Sequence, residues 1–504
     1  MAYPFSSTES STEIREIIYQ SFDSRNDLSM ELLDALSAET KVSSPVELSL
    51  SPHFTRQYSS ISQVIGQILV EDSLRNMLKD IASKVEVYIK GLTDDDNRIL
   101  FFAVDETGIF KPCANSMEGR GHVHGYSKTH GAIGVGHSYS YLVGINPLIG
   151  QWVIPIDIKR VKTEDSAITI GMNQFSAHAK QQNQKDTYVL TADSKYSTVK
   201  AVDYAYGVGD HALLLTRLNS VRNLSFSYKG AQMLSGANKV YGDDFKLHDD
   251  STWCECHDED NLKMESKRGN TYNVRLRRWN NLIMAGKDGI KMHEKHFDIV
   301  KVDITDLDGN AVYHKSMWLM LAGSRRSTFN MQQIFEGYAL RFKIEHFFRF
   351  CKQHLLLGKY QTPDTETQNK WCQFSALAYL NLMSCSGLVN GSELYSWQKA
   401  MKQTTEFGSP YQTKRAFSNI INKIGTPAQS CEYIAHGNGR KAGVKLSKRG
   451  KAEVIKKSKT VINVESEIKP KNSDSQKITF QSQEALIKKL KLSKKQIALL
   501  EKAA

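Results

Sequence analysis

Apolar residues recur along this chain with two different periods, and the change from one to the other divides it. Up to about residue 92 the spacing is helical. Leu28, Leu32, Leu33 and Leu36 share a face, and so do Ile65, Ile68, Leu69, Leu74 and Leu78. Breaks at Ser43-Ser44-Pro45 and Ser51-Pro52 separate these segments. Short continuous apolar runs then take over. Residues 99–104 read as a buried strand ending on Asp105, 132–145 and 152–158 as further strands, and 165–183 as a helix. Residues 187–192 form a second buried strand, which ends on Asp193, before a helix over 197–206 and a strand over 212–216. The order β-β-β-α-β-α-β predicts a mixed α/β core.

From 218 to 325 that pattern is interrupted. Turn signals (Lys229-Gly230, Asp306-Leu307-Asp308-Gly309) alternate with strand-like runs such as 271–277 and 315–321, which predicts a β-rich insertion. A long helix over 328–356 and a second over 367–388 follow. The remaining Lys-rich residues are poor in aromatics and read as a flexible arm, with a short amphipathic helix near 483–503. The expected organisation is therefore a helical N-terminal domain (1–92), an α/β core in two pieces (93–217 and 326–430) around an insertion (218–325), and a tail (431–504).

Composition narrows the class. At 504 residues, 40% hydrophobic and 24% charged, with 20 Phe, 21 Tyr and 6 Trp, the chain can bury substantial cores, which excludes wholesale disorder. No run approaches the ~18 apolar residues of a membrane span, and the first 30 residues lack the apolar stretch of a secretory signal. Seven cysteines, an odd and scattered set, read as reduced intracellular thiols. The net charge of +12 suggests a polyanionic partner. However, residues 431–504 hold 18 Lys+Arg and 7 Asp+Glu, a net of +11, which leaves +1 for the preceding 430 residues. Charge alone does not say what the body does.

The carboxylates say more. Asp105 and Asp193 each close a buried strand, and in open α/β sheets that edge is where sites form. One such Asp ordinarily ends a strand or caps a helix; two together suit magnesium, which needs few but convergent carboxylate oxygens. The helix over 328–356 adds a third acid. At ~100° per residue, Tyr338, Arg341, Glu345 and Lys352 fall within an arc of roughly 60°, while Leu340, Ile344, Phe347 and Cys351 gather on another face. The plain reading of that polar stripe is a solvated Arg–Glu pair worth tenths of a kcal/mol. The functional one is a metal-holding carboxylate flanked by cations for phosphate oxygens. Glu106 follows Asp105 directly, but strand alternation points it to the other face.

Taken together, these residues resemble the DDE transposases of bacterial insertion sequences. Tyr338, Arg341, Glu345 and Lys352 match without a gap the Y-x2-R-x3-E-x6-K signature of the hairpin-forming, cut-and-paste group. The resemblance spans roughly residues 95–390. It implies a ribonuclease H-like fold, with the first Asp after the first strand, the second after the fourth, and a β-rich insertion before the helix that carries Glu. It further implies that Asp105, Asp193 and Glu345 are catalytic and hold two Mg²⁺ or Mn²⁺ ions, and that Tyr338, Arg341 and Lys352 meet DNA phosphates. Trp318, 27 residues before Glu345, stands where the family places a Trp that helps hold a flipped base. The implied partner is double-stranded DNA (terminal inverted repeats and target), handled by a homodimer without a membrane, in the bacterial cytoplasm and at the nucleoid. The N-terminal domain is expected to bind DNA. The implied steps are nicking, hairpin formation, hairpin opening and strand transfer.

Weaker signals favour ordinary structure. His122, His124, His130 and His137 crowd a Gly-rich stretch without paired Cys or an H-E-x-x-H pattern, and Cys254-Glu255-Cys256-His257 is half a metal site. Gly119, Gly121 and Gly125 miss the dinucleotide spacing. Arg275, Arg277 and Arg278 suit either a DNA backbone or a solvated strand face. The rival functions are a ribonuclease H-like nuclease or resolvase without strand transfer, and a non-catalytic domesticated DNA-binding relative. The gap-free helical signature argues against the first, and the presence of all three carboxylates against the second.

Overall fold

The structure, a computed structural model, describes residues 5, 7–90, 98–127, 131–231, 238–266, 269–391, 407–431 and 450–455. The expected helix near 483–503 lies outside them, as does nearly all of the 431–504 tail. Four helices come first: α1 (Thr8–Gln20), α2 (Asn26–Ala38), α3 (Tyr58–Gln63) and α4 (Glu71–Lys90). Strands β1 (Ile99–Phe110), β2 (Gly121–Ser127), β3 (Gly131–Ile145) and β4 (Ile154–Val161) follow. Then come α5 (Ala167–Ala179), β5 (Thr187–Ala192), α6 (Val199–Val208) and β6 (Ala212–Leu218).

β1, β5 and β6 are parallel neighbours, and β3 lies antiparallel between β1 and β4. The run beginning at residue 99 is longer than its apolar stretch suggests: β1 continues five residues past Asp105, because β3 pairs with it as far as Phe110↔Gly136. Its parallel partner stops earlier, with Ala103↔Thr191 as the last pair. Asp105 is therefore mid-strand on one side and at an open ladder end on the other.

The segment after β6 supplies β7 (Asn223–Ser227), β8 (Tyr241–Lys246), β9 (Asp258–Glu265), β10 (Thr271–Ile283), β11 (Phe297–Thr305) and β12 (Met317–Ala322). These strands do not stand apart. β12 returns antiparallel to β6, Leu319 opposite Arg217, and β11 and β10 add outward, so one twelve-stranded sheet runs from β2 to β8.

The chain then lays α7 (Met331–Leu340) and α8 (Phe342–His354) on the sheet. Phe101 abuts Gly337 of α7, and Tyr141 meets Phe347 and Phe348 of α8 with ring centroids at 5.8 and 5.1 Å. The opposite face takes α5, where Phe102 meets Phe175 at 6.0 Å. What the sequence predicts as one helix over 328–356 is thus two, divided at Arg341.

α9 (Thr365–Ser384) and α10 (Pro410–Ile424) complete the body. Seventeen of the twenty residues of α9 are buried. A helix buried nearly all round must be enclosed, and α1, α2, α4 and α10 pack around it. The expected boundary at 92 therefore marks a change of secondary structure, while the packing runs across it.

One buried ion pair pins that arrangement. Arg15 of α1 donates to Asp34 of α2 through both guanidinium nitrogens, at 2.8 and 3.0 Å, and to the Asn381 side chain of α9 at 2.9 Å. Thr426, just past α10, donates to Asp34 at 2.8 Å. Among the described residues no helix is long and apolar enough to cross a membrane, and all seven cysteines are free.

Removing one partner of a buried pair strands the other charge, at a cost of about 3–5 kcal/mol. Asp34→Ala is expected to destabilise the whole body by that amount in a single urea transition followed by far- and near-UV circular dichroism. A separate early transition confined to helical signal would show that residues 1–90 fold as an independent unit.

Candidate active site

Asp105 and Asp193 come together because of strand register. Continuing the β1–β5 pairing by two residues sets Asp193 level with Asp105, and both side chains rise on the face covered by α7 and α8. Asp193 begins the turn after β5. Its carboxylate accepts from the Lys195 N–H at 2.9 Å, and the Thr216 hydroxyl donates to its carbonyl at 2.7 Å. The Asp105 carboxylate accepts from the Glu106 N–H at 2.8 Å. Glu106 itself alternates to the other face, that of Ser140, whose hydroxyl donates to Gln174 of α5.

The second half of the site descends from α7 and α8. Gly337 is required where α7 crosses β1: a Cβ there would lie 2.4 Å from the Phe101 ring. One turn later the helix tightens. Arg341 N–H bonds to Tyr338 and Ile344 N–H to Arg341, both three residues back, at 3.1 and 3.0 Å. This tight step separates α7 from α8 and tucks Arg341 inward. The Arg341 side chain is 8% exposed while that of Glu345, one turn on, is 45% exposed. Arg341 stands between two acids, with Nη2 donating to Glu345 Oε1 at 2.6 Å and Nη1 at 3.7 Å from Asp105 Oδ2. Its guanidinium also lies over the Phe342 ring at 4.9 Å and near that of Tyr338 at 5.9 Å.

Burial governs the electrostatics. It pushes the Asp105 carboxyl up to about 6; the Glu106 N–H and Arg341 oppose this, and the Asp193 charge adds to it. Burial also raises the Tyr338 phenol, against the pull of Arg341 and Arg217, and lowers the Lys352 ammonium, against the attraction of Asp105. Burial works against the Arg341 charge too, but Tyr338, Asp105 and Glu345 hold its pKa above the ordinary guanidinium value. Arg341 thus interacts with Tyr338, Asp105 and Glu345, and Asp105 in turn with Asp193 and Lys352. The three acids are not gathered into one ligand set: among the described residues no group of three or more His, Cys, Asp or Glu side chains is close enough to hold a metal ion. The donors are nonetheless the hard oxygens that magnesium or manganese takes, and Arg341 already supplies a positive charge between two of them.

Trp318 is placed elsewhere. It is 3% exposed and packs with Phe245, Trp253 and Trp279, at centroid distances of 6.2, 5.2 and 5.6 Å, on the sheet face away from α7. A base could stack on it only by displacing one of those rings. The arginines of β10 are all paired: Arg275 with Glu259, Arg277 with Asp303, and Arg278 with buried Asp298. His137 is buried, with Nε2 at 3.0 Å from the Glu118 carbonyl, and burial among Arg160, Lys111 and Arg120 holds its pKa down at about 4. His130 lies outside the described residues.

Four further residues border the site. Lys195 acts on Asp105 and Arg217 on Tyr338 through charge, while Phe342 and Arg349 are exposed on α8 beside Glu345. The helical wheel held the signal for these last two, since both fall near the Glu345 direction. Arg217 was hidden as the polar end of an apolar strand.

The sequence model of the family described as DDE superfamily endonucleases matches residues 18–280, just over half of the chain, including Asp105 and Asp193 and ending before Glu345. No curated protein matches the sequence. Among solved structures, the chain is similar to the piggyBac transposase in a cryo-EM synaptic complex with hairpin DNA. Sequence identity is 10% and the TM-score 0.36, over 84% of this chain and 81% of that one.

Asp105 binds its proton more tightly folded than unfolded, so between about pH 4 and 6 the folded state holds the extra proton and stability falls as pH rises. At pH 8 its ionised form opposes folding by about 3 kcal/mol, taking 1.36 kcal/mol per unit. Asp105→Asn is therefore expected to raise the melting temperature at pH 8, with the gain shrinking towards pH 4. A variant less stable than the parent at pH 8 would refute the assignment of burial as the cause.

Proposed function

Because the chain belongs to the DDE superfamily endonucleases, we propose that it is a transposase of a bacterial insertion sequence, which cleaves DNA at the element's ends and transfers the freed strands into target DNA. What supports this reading is one convergence. Two carboxylates from adjacent parallel strands face a helix that brings a third, with Arg341 set between. In this reading the core is ribonuclease H-like, matching the β4–β3–β1–β5–β6 order with β1, β5 and β6 parallel. The partners are double-stranded DNA and a second copy of the chain, and the place of action is the bacterial cytoplasm, at the nucleoid. The N-terminal helices, besides enclosing α9, are assigned to DNA binding.

Asp105, Asp193 and Glu345 would hold two divalent ions, Mg²⁺ or Mn²⁺, which when bound neutralise charge at the attacked and departing oxygens. The chain's own groups do the remaining work. Arg341 and Lys352 take phosphate oxygens as charge-assisted donors. Tyr338, its pKa raised by burial, stays protonated and donates its hydroxyl to a phosphate. Asp105 must be ionised to contribute, and burial, which raises its carboxyl in the free protein, opposes that until cations arrive. The proposal does not depend on Trp318, which remains in its aromatic cluster, and strand transfer does not require a flipped base.

Glu345→Gln is expected to abolish Mg²⁺-dependent cleavage of DNA carrying the terminal repeats that flank the gene; cleavage at the parent rate would sink the site. The Lys-rich tail is read as a phosphate-binding arm. Deleting 431–504 should flatten the slope of log affinity against log salt by about 0.9 for every phosphate the tail neutralises, with cleavage retained at saturating DNA. A folded truncation that cannot cleave even then would give the tail a part in the chemistry.

A further inference from the structure

The twelve-stranded sheet ends at β2, and an end strand offers its backbone to any extended segment that reaches it. Residues 450–455, from the Lys-rich tail, lie along the approach to that edge. The Ala452 N–H donates to the Asn115 carbonyl and the Ile455 N–H to the Arg120 carbonyl, each at 2.9 Å, and Ile455 bridges Gly121 in parallel register. Lys451, Glu453 and Ile455 are exposed, whereas Ala452 and Val454 are half-buried. Such alternation belongs to a strand with one face on the body.

The loop that accepts this strand is held by contacts of its own. Arg120 is buried, and its Nη1 donates to the Lys111 and Pro112 carbonyls at 3.0 and 3.2 Å. The buried Lys111 ammonium bonds to the Tyr360 carbonyl. The Glu118 carbonyl lies 3.0 Å from both His137 Nε2 and the Thr365 hydroxyl, which donates to it. Asn115 and Arg120 therefore present their carbonyls from a fixed support, in the manner of a sheet edge that takes up an added strand.

The place of this contact gives it a consequence. Gly121 pairs with Gly136, and Gly136 with Phe110, at the end of β1 that runs past Asp105. Two strand spacings and five residues of rise set Gly121 on the order of 20 Å from Asp105. The 49 residues after Ile455 hold twelve Lys against five Asp or Glu.

We propose that residues 450–455 are an anchor strand, docked on the β1–β2 loop of their own chain, which starts the Lys-rich arm on the β2 flank of the site so that it meets the phosphates of the duplex leading to the cleaved bond. This rests on the reading of the arm as phosphate-binding, and it fixes where that arm begins. Lys477, for example, is 22 residues from Ile455 but 46 from Cys431. Effective concentration falls roughly as the −3/2 power of tether length, so releasing the anchor should weaken duplex binding about threefold.

The test uses the full chain. Asn115→Cys with Ala452→Cys, in a Cys113→Ser background, should form a disulfide on mild oxidation, since backbone-paired residues lie within disulfide range. Mixing isotopically labelled and unlabelled copies, with mass spectrometry of the linked peptides, should place that bond within one chain. Ala452→Pro with Ile455→Pro removes both donating N–H groups and leaves the charge unchanged. That variant should bind duplex about threefold more weakly, with the parental slope of log affinity against log salt. Ile455→Pro added to the cysteine pair should regain parental affinity on oxidation and lose it on reduction. A link that does not form, or that joins only separate copies, would overturn the proposal and leave the arm reading standing. Parental affinity in the double proline variant, or a changed salt slope, would overturn it too. If deleting 431–504 leaves duplex affinity and its salt slope as they were, the arm reading itself fails, and the anchor's role in DNA binding with it, even where the in-chain link forms.

Discussion

The burial of α9 constrains everything built around it. A helix with seventeen buried residues in twenty cannot rest on a sheet edge alone; it needs walls, and α1, α2, α4 and α10 provide them. Three of its polar residues tie it to its surroundings: Asn381 joins the Arg15–Asp34 pair, Ser375 donates to the Leu355 carbonyl, and Asn369 accepts from Tyr139 of β3. These hydrogen bonds tie the helical layer to α8 and to the β3 flank of β1. The position of Glu345 over Asp105 therefore depends on residues that are remote in sequence from either acid.

Within that frame the site is held under electrostatic tension. Two aspartates at matching register on neighbouring strands repel, and burial adds to the cost for Asp105. Arg341 relieves part of it from a helix that had to tighten at that residue to bring the guanidinium inward. A site built this way favours the arrival of positive charge near its acids and of phosphate near its cations. That is the balance expected of a centre whose substrate is itself a polyanion.

Much of this was legible in the sequence, for physical reasons that can be named. Strands β1, β3, β4, β5 and β6 followed from apolar runs, whereas β2 lies in a Gly- and His-rich stretch without one, and the spacing from Tyr338 to Lys352 followed from helical geometry. Three features of the site and its surroundings were also not legible. The length of β1 beyond Asp105 depends on a long antiparallel partner, which no local pattern in 99–110 reveals. The division at Arg341 has no Pro or Gly to signal it and reflects packing. The depth of Trp318 is set by Phe245, Trp253 and Trp279, which come from three distant segments, so its indole reads equally well as a surface or a core residue until the sheet is assembled.

The continuity of the sheet through β12 and β6 bears on how a chain of this kind can vary. The strands from 223 to 322 are not a cassette that can be gained or lost whole. Without β12, the edge of β6 would present its backbone N–H and C=O groups to any passing strand. The chain would also lose its return path to α7. Changes in length are tolerable at the outer margin, where β8 and β9 each pair on one side only, and grow costly towards β12. Divergence among related chains should be graded across the sheet, with the greatest freedom farthest from Asp193.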